Sequence, residues 1–288
     1  MNNKLTVVLA TYNEEKNIKG CLDSIKYITD EIVIVDGSST DKTVDIAKSY
    51  NAKVVITDNP KIFHINKQKA IDIASNEWIL QLDADERVSP KLAEEIKKII
   101  SMDESGIEAY EKKLPNRNLF LRHQKLVEER DGTIGEKSGA YNAFYFPRLN
   151  YFLGKYLRYG GVYPDGVIRL IRKGKAYLPC KSVHEQMVVS GRVGWLQHDL
   201  LHMADTTFER YLQRNSRYID LIRDELKRDK VGKNIIQMIN YFILKPVYWY
   251  FLTQIRHKGV LDGFQGIVFS FFSALRFPRA YYRYITQL

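Results

Sequence analysis

Trp78-Ile79-Leu80-Gln81-Leu82-Asp83-Ala84-Asp85-Glu86 is the stretch on which the fold turns. A nearly apolar run ends in three carboxylates within four residues. A run this short, bounded by charge, predicts a buried strand rather than a helix, inside a sheet covered on both faces. Its carboxylates emerge at the strand's carboxyl end, where open α/β sheets place their ligands. Asp83 and Asp85 are two apart, so on a strand their side chains share a face. Like charges that close repel unless a cation sits between them. Hard oxygen donors suit Mg²⁺ or Mn²⁺, and Mg²⁺ usually takes one or two carboxylates plus substrate phosphates. An Asp-x-Asp alone reads equally well as a solvated acidic turn, so its neighbours decide.

Toward the N-terminus, Leu5-Thr6-Val7-Val8-Leu9-Ala10, Glu31-Ile32-Val33-Ile34-Val35-Asp36 and Ala52-Lys53-Val54-Val55-Ile56-Thr57 predict three further strands. Between them lie helical patterns: Ile18, Leu22 and Ile25 on one face, then Val44, Ile46 and Ala47, then residues 66–75. On the other side, Ser89-Pro90 predicts an N-cap and a first helical position. Strands alternating with helices imply right-handed crossovers and a parallel sheet. No Gly-x-Gly-x-x-Gly follows the first strand and no Gly-Lys-Ser/Thr phosphate loop occurs. The strand ends carry Thr11, Tyr12 and Glu14, and then Asp36. An Asp there can accept hydrogen bonds from a base imide or a ribose hydroxyl, and a Tyr can stack on a base. Each also has a plain structural reading: Asp36 as a turn former before Gly37, Tyr12 as a half-buried packing aromatic.

The chain has 288 residues, room for one large α/β domain with an appendage or for two domains. Its net charge of +10 calls for an anionic partner: nucleic acid, a phosphorylated substrate or a membrane surface. No nucleic-acid recognition motif accompanies that charge. Cys21 and Cys180 make no disulfide framework, Cys21 reads as core, and a reduced, cytoplasmic compartment is expected. Met1-Asn2-Asn3-Lys4 runs directly into the first strand, which is not a secretory-signal pattern.

Residues 103–138 are charged and poorly periodic, and predict a long loop with short helical pieces. Tyr141-Asn142-Ala143-Phe144-Tyr145-Phe146 and Val167-Ile168-Arg169-Leu170-Ile171-Arg172 predict strands, and residues 212–227 an amphipathic helix with Tyr218, Ile219, Ile222 and Leu226 as core. Residues 235–255 are apolar and aromatic but interrupted at Lys245-Pro246; residues 263–275 form a second apolar run. That second run falls short of the roughly 20 residues a membrane span needs. Lys245, Arg256, Lys258, Arg276, Arg279 and Arg283 surround these runs against Asp262 alone. Such a mixture marks helices lying in a membrane interface, the plain alternative being a helical appendage.

Ala10-Thr11-Tyr12-Asn13-Glu14-Glu15, Val35-Asp36-Gly37-Ser38-Ser39-Thr40-Asp41-Lys42-Thr43 and Leu82-Asp83-Ala84-Asp85-Glu86, in that order and spacing, resemble a family 2 glycosyltransferase of the GT-A fold. The resemblance implies an α/β architecture with a Rossmann-like, mostly parallel nucleotide-binding sheet and a helical C-terminal appendage. It implies that Thr11, Tyr12 and Asp36 line a nucleoside pocket, with Glu14 near the ribose. It makes Lys67 the basic residue on the helix before the Asp-x-Asp, with Lys69 as a competitor. Asp83 and Asp85 then hold Mg²⁺ or Mn²⁺ on the diphosphate of a nucleotide-sugar, expected to be a UDP-sugar, and His202 falls where a His would lie close to that metal. A lone His is otherwise a structural residue.

Pro147-Arg148 through Gly160-Gly161-Val162-Tyr163-Pro164-Asp165 to Val183-His184-Glu185 is similar to the lipopolysaccharide-core β-glucosyltransferase-like subset, which usually has Trp where this chain has Val162. On that reading Glu185 is the base that takes the acceptor's proton in an inverting transfer; its plain reading is an exposed strand-end acid. The matching His of a zinc protease is absent after His184-Glu185. Residues 1–232 then form the catalytic domain: a nucleotide-sugar half (1–103), an insertion (104–140) and an acceptor-side half (141–232). Residues 233–288 form an aromatic, basic tail that associates with an anionic membrane surface on the cytoplasmic side. The expected acceptor is a saccharide or glycolipid of the cell envelope. Two other classes stand beside this one. A nucleotidyltransferase would need a Gly-rich basic phosphate loop and release pyrophosphate; a non-catalytic sugar-nucleotide-binding protein would release nothing.

Overall fold

The computed structural model describes residues 4–181 and 186–287. Its first elements are β1 (Leu5–Thr11), α1 (Ile18–Ile25), β2 (Glu31–Asp36), α2 (Thr43–Ser49), β3 (Lys53–Ile56), α3 (His64–Ile73), β4 (Trp78–Leu82), β5 (Glu86–Val88) and α4 (Pro90–Ser101). There follow α5 (Glu104–Lys112), α6 (Arg117–Asp131), β6 (Tyr141–Phe152), β7 (Lys155–Leu157), β8 (Asp165–Arg172), β9 (Ala176–Tyr177), β10 (Val188–Val189), β11 (Arg192–Trp195) and β12 (Leu200–Asp205). The rest is helical: α7 (Phe208–Arg228), α8 (Ile235–Ile239), α9 (Lys245–Phe251), α10 (Phe264–Ala274) and α11 (Arg276–Thr286). Two compact units result, Met1–Arg148 with Pro164–His202, and Leu149–Tyr163 with Met203–Leu288. The division drawn after residue 232 from composition is a different one: by contacts, residues 149–163 and 203–232 group with the tail.

The first unit is built on a mixed sheet ordered β3–β2–β1–β4–β8–β6. β1 runs parallel to β2 and β4, with Val8 opposite Val33 and Gln81, and β3 continues the parallel half beyond β2. β8 is antiparallel to both β4 and β6, so direction reverses where β4 ends. Alternation along β1 buries both faces. Leu5, Val7 and Leu9 pack with Cys21, Leu22 and Ile25 of α1, while Val8 packs with Ala70 and Ile71 of α3. Burial in the first cluster pushes the Cys21 thiol pKa up, as expected of an inert core residue. Ser89 caps α4 as expected, its Oγ accepting from the Leu92 N–H at 3.3 Å with Pro90 opening the helix.

Residues 103–138 depart from expectation. In place of a long loop with short helical pieces they form α5 and α6, of 9 and 15 residues, with Asp103 capping α5 by accepting from the Gly106 N–H at 2.8 Å. Ile107, Phe120 and Val127 are buried, and Phe120 stacks on Trp195 with centroids 4.7 Å apart. Most of the charge that obscured these helices lies on their exposed faces; Glu111 of α5 is buried.

In the second unit α7 is amphipathic, and its Ile219 and Leu226 pack with Tyr241, Ala280, Tyr281 and Tyr284. The helical course continues through Lys245-Pro246, where the sequence reads an interruption. A π-helical turn, Asn240–Leu244, precedes the proline, and the Lys245 N–H reaches back to the Asn240 carbonyl. Wider turns of this kind absorb the strain of a proline's ring and missing N–H. Among the described residues no helix is long and apolar enough to cross a membrane.

Candidate active site

β4 stops at Leu82, and Asp83-Ala84-Asp85 form a turn closed by the Glu86 N–H donating to the Asp83 carbonyl at 2.9 Å. The expectation that both aspartates share a strand face is therefore corrected. The chain turns away from β4 because β5 takes the edge of the same sheet, antiparallel to β12, and the Glu86 Oε2 accepts from the Asp83 N–H at 3.0 Å, bracing the turn. Each aspartate consequently has its own surroundings.

Asp83 is clamped by cations. Its Oδ1 lies 2.5 Å from Lys67 Nζ and its Oδ2 2.7 Å from Arg169 Nη2. The same Arg169 nitrogen donates to Glu86 Oε1 at 2.7 Å, and Nη1 donates to Gln81 Oε1 at 2.5 Å. Glu86 is fully buried and also lies 3.4 Å from Arg148, which pairs with Asp165 at 2.7 Å. Burial alone would raise the Asp83 carboxyl, but Arg169 and Lys67 outweigh it and hold the group well below the usual range. Conversely, burial would lower the guanidinium of Arg169, but Asp83 and Glu86 override it and raise it. Asp83 is thus an ionised acceptor whose position is fixed before any ligand arrives. Lys67, on α3, thus lies against Asp83, while Lys69 donates to Thr57 Oγ1 at 3.0 Å.

Asp85 stands beside His202, with Oδ2 and Nε2 3.5 Å apart and both side chains largely enclosed. The β5–β12 register sets His202 opposite Glu86, which brings the imidazole to the turn. One carboxylate oxygen and one imidazole nitrogen at this separation suit two adjacent positions on a divalent ion. Among the described residues no group of three or more His, Cys, Asp or Glu could hold a metal ion.

The ends of β1 and β2 form the other side. Asp36 is fully buried; it accepts from the Thr11 hydroxyl, the Ser39 N–H and the Ser39 hydroxyl, each at 2.7 Å. In this structure its carboxylate ties the loop after β2 to the end of β1. The Asn13 N–H donates to Ser39 Oγ at 2.8 Å and the Thr40 N–H to Asn13 Oδ1 at 2.8 Å, completing the lock. The Glu14 N–H donates to Thr43 Oγ1 at 2.7 Å, while its carboxylate accepts from Asn17 at 2.8 Å. Tyr12 is exposed beside this loop, its ring available for stacking.

Glu185 lies outside the described residues. Arg148 and Arg169 were not singled out in the sequence, although a signal existed. An arginine inside the apolar run of β8 demands a buried counter-charge, and Asp83 with Glu86 provides it.

Comparison with known proteins gives matches across most of the chain. The model of the family Glycosyl transferase family 2 matches residues 6–173. A protein of Rickettsia felis named as an uncharacterized glycosyltransferase is 37% identical over 280 residues, covering 96% of this chain and 88% of its own length. The lipopolysaccharide core biosynthesis glycosyltransferase LpsC of Rhizobium meliloti is 26% identical over 287 residues, 94% of this chain and 91% of that one. Among solved structures, the glucosyl-3-phosphoglycerate synthase of Mycobacterium tuberculosis in complex with Mn²⁺, UDP and glucosyl-3-phosphoglycerate is 27% identical, with 29% of this chain and 34% of that chain covered and a TM-score of 0.26.

Proposed function

The chain belongs to glycosyl transferase family 2, and from that premise we propose that it is an inverting, metal-dependent enzyme moving a sugar from a UDP-sugar to a saccharide or lipid-linked acceptor of the cell envelope. The observation that carries the metal-dependent reading is the Asp85–His202 pair, 3.5 Å apart beyond the carboxyl end of β4, Asp85 standing two residues after Asp83 of the Lys67–Asp83–Arg169 clamp. Of Asp83, Asp85 and His202, which the sequence assigned to the ion, Asp85 and His202 are here proposed to hold it directly; a mixed oxygen and nitrogen donor pair favours Mn²⁺ over Mg²⁺. Such an ion neutralises the charge that grows on a leaving diphosphate. Asp83 has its oxygens engaged by Lys67 and Arg169, so it acts on the ion through its field and on the donor as a hydrogen-bond acceptor. Thr11, Tyr12, Glu14 and Asp36 shape the nucleoside side, Tyr12 by stacking and Asp36 by fixing the loop. Glu185, assigned from its place in the sequence, takes the proton of the acceptor hydroxyl as it attacks the anomeric carbon.

The same reading sets the enzyme on the cytoplasmic face of a membrane, held by the tail. Ile235, Ile236, Tyr248, Ile255 and Phe264 are 66–73% exposed, apolar area that water disfavours and a bilayer interface accepts.

Donor dissociation constants with and without Mn²⁺, together with single-turnover transfer, test the catalytic assignment. Asp85→Asn should abolish the Mn²⁺-dependent part of UDP-sugar binding. Glu185→Gln should leave binding intact and slow transfer by roughly 10²–10⁴-fold, the usual worth of a positioned base. Binding of the donor that is indifferent to Mn²⁺ in the wild type overturns the metal assignment, and normal transfer by Glu185→Gln removes that residue from the mechanism.

A further inference from the structure

The second unit holds a groove of about 700 Å³ among α7, the Asn240–Leu244 turn and α11. Its apolar lining is Phe242, Leu275, Pro278 and Tyr282; its polar lining is three guanidiniums, Arg223, Arg279 and Arg283, with no carboxylate in the wall. The nearby acids do not balance these cations. Arg283 lies 2.7 Å from Asp220, and Arg223 lies 3.2 Å from the same oxygen and 3.0 Å from Asp224. Arg279 is exposed and makes no ion pair among the described residues. The groove is therefore cationic at one edge and apolar elsewhere.

We propose that this groove binds one molecule of an anionic phospholipid, its phosphate at Arg279 and its acyl chains along Phe242, Leu275 and Pro278. Guanidinium forks match phosphate oxygens in geometry and charge, and hydrocarbon is the natural cover for the remaining wall. A sugar nucleotide leaves that wall wet, and an apolar peptide buries guanidiniums without partners. An exposed stripe leads into the groove: Ile235, Ile239 and Phe242 recur at helical spacing and are 66%, 45% and 39% exposed. The stripe gives the chains a path from the groove into a bilayer. The inference deepens the membrane-attachment reading above by naming the lipid class and the site.

The test titrates the full chain with monomeric dihexanoyl-phosphatidylglycerol, held below its micelle concentration so that no charged surface is present. Saturable one-to-one binding is expected. Arg279→Gln, an exposed position, should weaken it by roughly tenfold or more, a charge-assisted contact's worth. Arg256→Gln, an exposed arginine outside the groove, should not change it. Dihexanoyl-phosphatidylcholine should bind more weakly, and inorganic phosphate at equal concentration should not displace the lipid. Absent binding, unaltered binding by Arg279→Gln, or displacement by phosphate overturns the proposal. Sedimentation with phosphatidylglycerol–phosphatidylcholine vesicles reads attachment separately. Pelleting without monomer binding overturns the groove and leaves attachment standing; monomer binding without pelleting upholds the groove and removes attachment.

Discussion

Two enclosed guanidiniums, Arg148 and Arg169, hold three carboxylates, Asp83, Glu86 and Asp165, and their contrast with another buried acid shows what a cation does to a carboxyl. Glu111 is buried, accepts from the Trp195 N–H at 2.7 Å, and makes no ion pair among the described residues; burial pushes its pKa up to about 7. The folded chain keeps this proton where the unfolded chain has released it. Stability is therefore unaffected by the group at acidic pH, falls as pH rises from 4.5 to about 7, and stays reduced above that. Glu111→Gln keeps the acceptor oxygen and removes the titration. It should raise stability at pH 8 by up to about 3 kcal/mol and leave it nearly unchanged at pH 4, measured as urea midpoints at the two pH values. An equal gain at both would place the effect in packing instead. At this scale the cluster of carboxylates after β4 was legible in the sequence, but not the separate surroundings of Asp83 and Asp85. Arg169 was less so, because one charge in an apolar strand shows only that a partner exists, not which residue across the sheet supplies it.

At the scale of elements, the parallel half of the sheet was legible because β1, β2 and β4 are buried on both faces and read as unbroken apolar runs. α5 and α6 were not, for a reason their side chains show. Leu119, Leu121 and Leu126 are 40–58% exposed while Phe120 and Val127 are buried, so apolar residues fall on both faces of α6 and blur its period. The buried pair is what fastens the helix. Phe120→Ala should cost about 3–5 kcal/mol by removing a fully buried ring stacked on Trp195. Leu126→Ala, 58% exposed, should stay within about 0.5 kcal/mol. Equal losses in chemical denaturation would mean that α6 is held by its outer face. The turn at Asp83–Asp85 was misread as strand for a related reason: the partner that ends β4's course is β12, more than a hundred residues later, and local pattern carries no trace of it.

For the molecule as a whole, the net charge of +10 implies an anionic partner, but only part of the basic tail is available to one. Arg276 donates to Asn215 Oδ1 at 2.5 Å and lies over the Tyr218 ring, and Arg283 pairs with Asp220. For the membrane attachment proposed above, counting six basic residues from sequence therefore overstates the electrostatic share, and the exposed apolar area would take more of it. Each isoleucine moved fully from water to hydrocarbon contributes about 1.5–3 kcal/mol, whereas a basic residue near an anionic surface contributes about 1 kcal/mol and is screened by salt. Replacing Ile235, Ile239 and Ile255 with Ser should accordingly lower vesicle pelleting by roughly 10²-fold or more. The exposed positions make the fold indifferent to the change, so the UDP-sugar binding proposed for the first unit should persist. Raising salt on the wild-type protein should release only a fraction. Complete release by salt, with the triple Ser variant pelleting normally, would reverse the ranking and return attachment to charge.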